Sequence, residues 1–319
     1  MSNEVLGHRA AEIIEHHIPK ILSEPMLHAR IDLCIHNDVL FRQVLRMSDN
    51  TQQHRETLEK IDAAIEMYAG DITQRNALLA KKYKTADMLG DERIKLSCLR
   101  EIIESEPDNP FVHEEIQKID PAQLKPHSQI LYYQLRIYIE NQPELRLENQ
   151  MALARLYTTS SQLNNAITLY HSIIDENPHY LEARHKLIEL LESQENWKSA
   201  ENTLLALINA ETTKEGKYQA LLQLANLQYE RMAMTSRALM TYFNALDADP
   251  EKLTELHNTL CNISEKIRSF APLLDKYEDF SKEPHPYPVQ KSATILLANI
   301  YAEYIKKPAL AINVLDDFY

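Results

Sequence analysis

Prolines recur along this chain at a near-constant interval, and that interval limits the fold more than any other feature. Pro107, Pro143 and Pro178 are separated by 36 and 35 residues, and Pro250 and Pro284 by 34. The intervening gap of 72 residues holds two such units, with Thr212 standing in the proline's place. A period of this size belongs to helix–turn–helix units stacked in a row. Proline suits each junction because it cannot continue one helix, while its fixed φ suits the start of the next.

A second pattern lies inside the units. The string LARLY (Leu153–Tyr157) is followed by AITLY (Ala166–Tyr170), and LIELL (Leu187–Leu191) by AENTL (Ala200–Leu204). LANLQY (Leu224–Tyr229) is followed by ALMTY (Ala238–Tyr242), and LANIY (Leu297–Tyr301) by AINVL (Ala311–Leu315). Two helices cross closely only where facing side chains are small, so one small or slim residue from each helix marks the contact. Large residues three or four positions on fill the space beside it. Ala154/Ala166 and Ile188/Ala200 are 12 apart, whereas Ala225/Ala238 and Ala298/Ala311 are 13 apart. The last two units are therefore expected to share a turn one residue longer. Tyr157, Tyr170, Tyr242 and Tyr301 sit at repeat positions and are expected in the core.

Composition agrees with helices. Only four glycines occur in 319 residues, too few for the tight turns of strand-rich folds or for a phosphate-binding loop.

With proline, leucine, small residue and aromatic at these positions, the chain resembles the tetratricopeptide repeat family. The resemblance is clearest over 147–252 and 291–319, and the unit Leu147–Tyr180 matches best. The family's tryptophan near the start of helix A is missing; Trp197 precedes a helix B instead. The resemblance implies an all-α fold: a right-handed superhelical solenoid of antiparallel helix pairs, with an additional helical region at the N-terminus. The expected organisation is an N-terminal helical region at 1–70, with helices over 4–23, 27–46 and 51–69. Degenerate helix pairs follow at 71–143, three units at 144–252, and further units at 253–319, the last incomplete. Upstream, Asp71 or Thr73 is placed to cap a helix ending at Gly90, and Asp91 to start its partner. LLAKKY (Leu78–Tyr83) echoes the later LAxxY, with Lys95 in the usual alanine place.

The net charge is −13, from 47 acidic and 34 basic residues, which argues against nucleic acid or anionic lipid as partner. Cys34, Cys98 and Cys261 form no CxxC pair, and a cytoplasmic setting suits them. Neither a signal peptide nor a membrane span is read from the sequence. No nucleotide loop, GxSxG, HExxH or CxxC occurs, so no enzyme, no cofactor and no metal is expected. His16 and His17 are adjacent, and adjacent helical residues point about 100° apart. His171, His179 and His185 fall on different elements. None is expected to bind a metal.

The expected function is a protein–protein interaction scaffold or adaptor that takes a peptide or partner protein in the concave groove formed by the A helices. By register the groove-facing residues are Arg155, Glu189, Asn226 and Asn299. Family members that grip a chaperone's C-terminal carboxylate carry lysine and asparagine at set places. Met151, Ala152, His185, Lys186 and Leu222 stand there instead, so that ligand is not expected. A basic stretch with Lys81, Lys82, Lys84 and Arg93 offers a patch for an acidic partner. SKEPHPYPVQ (Ser281–Gln290) reads as an extended, stiff spacer. The uncapped last repeat offers a surface for self-association. The alternative reading is a regulatory N-terminal repeat region whose enzyme or signalling domain lies beyond residue 319.

Overall fold

The computed structural model describes residues 41–42, 51–282 and 284–318, and every regular element among them is helical. Six helices lie wholly among the described residues before residue 162: α1 (Thr51–Met67), α2 (Ile72–Leu89), α3 (Glu92–Ser105), α4 (Pro110–Gln117), α5 (Pro126–Ile139) and α6 (Pro143–Thr159). Nine follow: α7 (Leu163–Glu176), α8 (Leu181–Ser193), α9 (Trp197–Ala210), α10 (Lys214–Asn226), α11 (Thr235–Ala248), α12 (Leu253–Ile267), α13 (Ala271–Phe280), α14 (Tyr287–Asn299) and α15 (Pro308–Asp316). The helix expected over 51–69 is α1; those expected over 4–23 and 27–46 fall almost wholly outside the described residues. The chain forms two compact units, Met1–Gln162 and Leu163–Tyr319.

In the first unit α1 packs on α2, α2 on α3, α3 on α5 and α5 on α6. Asp71 caps α2 by accepting from Gln74 N at 3.1 Å, and Asp91 caps α3 by accepting from Ile94 N at 3.1 Å. Gly90 joins them at φ 65°, a left-handed conformation that glycine adopts without strain. Leu79, Leu96, Leu99, Ile102, Val112 and Ile116 fill the space between these helices.

In the second unit each helix packs on its successor from α7 to α15, and α12 also contacts α14. Alternate helices thus form two layers, the A helices α8, α10, α12 and α14 and the B helices between them. Ala200, Ala225, Ala238 and Ala293 are wholly buried, as are Leu260, Cys261, Leu273 and Tyr277.

The A-to-B turns correct the expected longer loop. Ser161, Glu195, Ala233, Arg268 and Lys306 all have positive φ, between 53° and 62°. From this left-handed residue to the small residue of helix B is five positions in every clear unit, so the turn never lengthens. The extra residue lies inside helix A. The π-helical turns Leu227–Arg231 and Ile300–Tyr304 follow Asn226 and Asn299. Their wider bonds run from Met232 N to Leu227 O at 3.1 Å and from Ile305 N to Ile300 O at 3.0 Å. One added residue in a helix is absorbed this way at the loss of little more than one regular bond.

Two further expectations change. Gly90 places Tyr83, not Ala80, opposite Lys95, so LLAKKY is out of register by one helical turn although Lys95 does hold the alanine place. The pair that elsewhere is two slim residues is here a lysine over a tyrosine, with Nζ 5.4 Å from the Tyr83 ring centre. The proline-rich spacer is also shorter than expected. Pro286 is extended, at φ −59° and ψ 143°, and Pro288 lies in the first turn of α14, where a missing N–H costs nothing. No helix among the described residues is long and apolar enough to cross a membrane.

Candidate partner-binding site

The residue after the small residue of helix A falls at one place in each unit. Arg155, Glu189, Asn226 and Asn299 occupy it, after Ala154, Ile188, Ala225 and Ala298, and all four are exposed. Arg155 belongs to the first unit and the other three to the second. The left-handed turn at Arg268 shows a further member, Asn262, also exposed. Sequence reading missed it because Cys261 and Leu273 stand where alanines mark the other units, although their spacing of 12 was there to find. By the same count Lys84 follows Tyr83 into this place in the first unit.

These side chains are not equivalent. The Asn226 side-chain oxygen accepts a hydrogen bond from the Tyr242 hydroxyl of α11. Asn299 has Leu315 in the matching place, so that bond has no counterpart there. Glu189 pairs with Lys186 at 2.8 Å. A cavity of about 270 Å³ opens beside Asn226, lined also by Glu192, Trp197, Gln223 and Glu230. Gln223 Nε2 donates to Glu192 Oε1 at 3.1 Å, linking α10 to α8, and the Arg231 guanidinium lies 5.6 Å from the Trp197 ring centre.

Behind this face is a buried polar cluster that no sequence motif announced. Glu201 on α9 is wholly buried. Its carboxylate accepts from Gln228 Nε2 at 2.9 Å and pairs with Lys198 at 2.8 Å and Arg237 at 3.1 Å. The Thr241 hydroxyl donates to Gln228 Oε1 at 2.7 Å. Burial works to raise the Glu201 pKa, but hydrogen bonds from Lys198 and Gln228 and the Arg237 charge outweigh it and hold the group below its ordinary value.

Part of the basic stretch is paired within the chain. Lys82 pairs with Asp62 at 2.5 Å, Lys95 with Asp87 at 2.7 Å, and Arg75 with Glu101 at 2.8 Å. Lys81 lies 5.7 Å from the Phe41 ring centre and Lys84 6.0 Å from that of Phe111, while Arg93 is exposed. At the chain's last helix, Leu310 and Ile312 are 39% and 58% exposed.

His257 and Cys261 have the residue types of a catalytic dyad, with Sγ 3.7 Å from Nε2, but not its electrostatics. Burial pushes the Cys261 thiol up to about 11 and lowers the His257 pKa, so both groups are neutral near pH 7. His257 Nδ1 instead lies 3.1 Å from the Tyr277 hydroxyl. His171, His179 and His185 are exposed, and no group of three metal-ligating side chains occurs among the described residues.

Paired helices stacked in two layers, with one exposed polar position repeated along the A layer, define a helical-repeat protein. Residues 150–227 match the family model of the tetratricopeptide repeat, and over that stretch the chain carries repeats of this protein-interaction class. Among solved structures, a tetratricopeptide repeat protein from Parabacteroides merdae is 18% identical over 76% of this chain and 93% of its own, with a TM-score of 0.33. The apo form of the quorum sensor NprR from B. thuringiensis is 12% identical over 99% of this chain and 97% of its own, at 0.31. Scores this low decide neither shape nor partner. No curated protein matches the chain.

Proposed function

We propose that this protein is an interaction scaffold or adaptor that holds an extended peptide or partner segment along the exposed face of its A helices. The reading is supported by one observation above the rest: Asn226, Asn262 and Asn299 stand exposed at the same position of three consecutive A helices. An asparagine amide both donates and accepts, as does each peptide unit of an extended chain, so a row of them suits a backbone whatever its side chains. Glu189 varies the charge at that position in the same unit and would set specificity.

Affinity capture with the intact protein, followed by titration of the captured partner, tests this. Asn262→Ala combined with Asn299→Ala is expected to weaken binding about tenfold, with the melting temperature within a degree or two of the parent. Unchanged affinity would remove the A face from the proposal.

A further inference from the structure

The same left-handed residues that align the asparagines align a second row. Three positions before each of Glu195, Ala233, Arg268 and Lys306 stand Glu192, Glu230, Glu265 and Glu303. The match is hidden in the sequence, because in α10 and α14 the π-helical turn adds one residue between the asparagine and the glutamate. With the turns counted, each of the four A helices of the second unit carries a carboxylate one turn beyond the Glu189, Asn226, Asn262 and Asn299 positions. Glu230, Glu265 and Glu303 are exposed and Glu192 is half-buried.

Helix stability does not account for them. They sit in the last turn of helix A, where the helix dipole favours cations. None of the four makes an ion pair among the described residues. Lys266, next to Glu265, lies 4.5 Å from the Tyr229 ring centre, and Arg231, next to Glu230, lies over Trp197 at the wall of the cavity. The row carries one carboxylate on each A helix, so its charges add to one negative potential, screened over about 8 Å at physiological salt. The whole second unit is negative, with 22 acidic against 15 basic residues over 163–319. The 270 Å³ cavity lies where the rows meet, with Asn226 from one and Glu192 and Glu230 from the other, and Arg231 already forms part of its wall.

We propose that the partner is a basic extended segment, its backbone on the asparagine row and its lysine or arginine side chains along the glutamate row. This deepens the proposed function and rests on its assignment of the A face.

The test uses the full chain and fluorescence anisotropy with three pools of unstructured peptides: lysine- and arginine-rich, neutral, and glutamate-rich. The basic pool is expected to bind and the acidic pool to show no binding. Glu230→Gln, Glu265→Gln and Glu303→Gln together are expected to lower affinity for the basic pool about tenfold, an effect that weakens as salt is raised. A control set, Asp175→Asn, Asp275→Asn and Asp279→Asn, removes equal charge from the B helices and is expected to change nothing. Circular dichroism melting confirms that both sets fold. An equal loss in the control set would mean diffuse attraction and overturn the row. If the glutamine set binds as the parent does while Asn262→Ala with Asn299→Ala weakens binding, the row is refuted and the A face stands. If neither set has any effect on any pool, the A face fails as well.

Discussion

Gln228, in the π-helical turn after α10, donates to the wholly buried Glu201 carboxylate of the preceding repeat at 2.9 Å. The bond ties the A helix of one unit to the B helix of the unit before it. Replacing Glu201 with alanine strands the Gln228 amide in the interior. The Lys198 and Arg237 side chains are 67% and 50% exposed and can turn to water. The expected loss is about 2–3 kcal/mol, read from the urea midpoint at neutral pH.

The same carboxylate gives the protein an acid-sensitive joint. Its folded pKa lies below the ordinary value, so its contribution is complete above the unfolded pKa of about 4.3 and fades as pH falls through the folded value. Urea midpoints measured from neutral pH downward should therefore fall more steeply for the parent than for Glu201→Gln, which has no carboxylate to protonate. Parallel curves would show that Glu201 is not the titrating group.

Asn226 is expected to differ from Asn262 and Asn299 in what it does for folding. Its oxygen accepts from the Tyr242 hydroxyl, and Tyr242 is 1% exposed. Asn226→Ala should cost about 1 kcal/mol in the parent and close to nothing in a Tyr242→Phe background, where no hydroxyl is left unpaired. Loss of partner binding should be the same in both backgrounds. A stability cost that persists with phenylalanine would place the asparagine's role elsewhere.

The π-helical turn makes a prediction about chain length. Deleting Tyr229 leaves Ala225 and Ala238 at the 12-residue spacing of the other units and loses the Lys266 contact on its ring, worth about 1 kcal/mol or less. The variant is expected to fold, with an unbroken α10. Deleting Leu224, which is 2% exposed and precedes the crossing alanine, rotates the core face of α10 and is expected to abolish cooperative melting. Thermal melts of the two deletions, followed by circular dichroism, decide the matter.

The helical solenoid was legible because alanine at a crossing and proline at a junction answer to local sterics that no neighbour can override. The α12–α13 unit was harder to read. Cys261 and Leu273 meet the same geometry with different side chains, so Asn262 was invisible until Arg268 fixed the register. The π-helical turns were also hidden, because a spacing of 13 says that a residue has been added and not where. Glu201 was hidden for a different reason. A glutamate on a helix usually faces water, and only the arrival of Gln228 and Arg237 from the next repeat makes this one an interior group. Lys82 of the basic stretch looked free because its counter-charge, Asp62, comes from the helix before.

The hairpin corners at Ser161, Glu195, Ala233, Arg268 and Lys306 each hold a side chain in a conformation that glycine adopts more easily, at about 1 kcal/mol apiece. The chain therefore contains a set of adjustment points at the ends of its A helices. Glycine placed at Ala233 or Lys306 should relieve the strain of one corner at a time while loosening its backbone. A graded series of this kind would show whether gripping a guest depends on how firmly each corner is held.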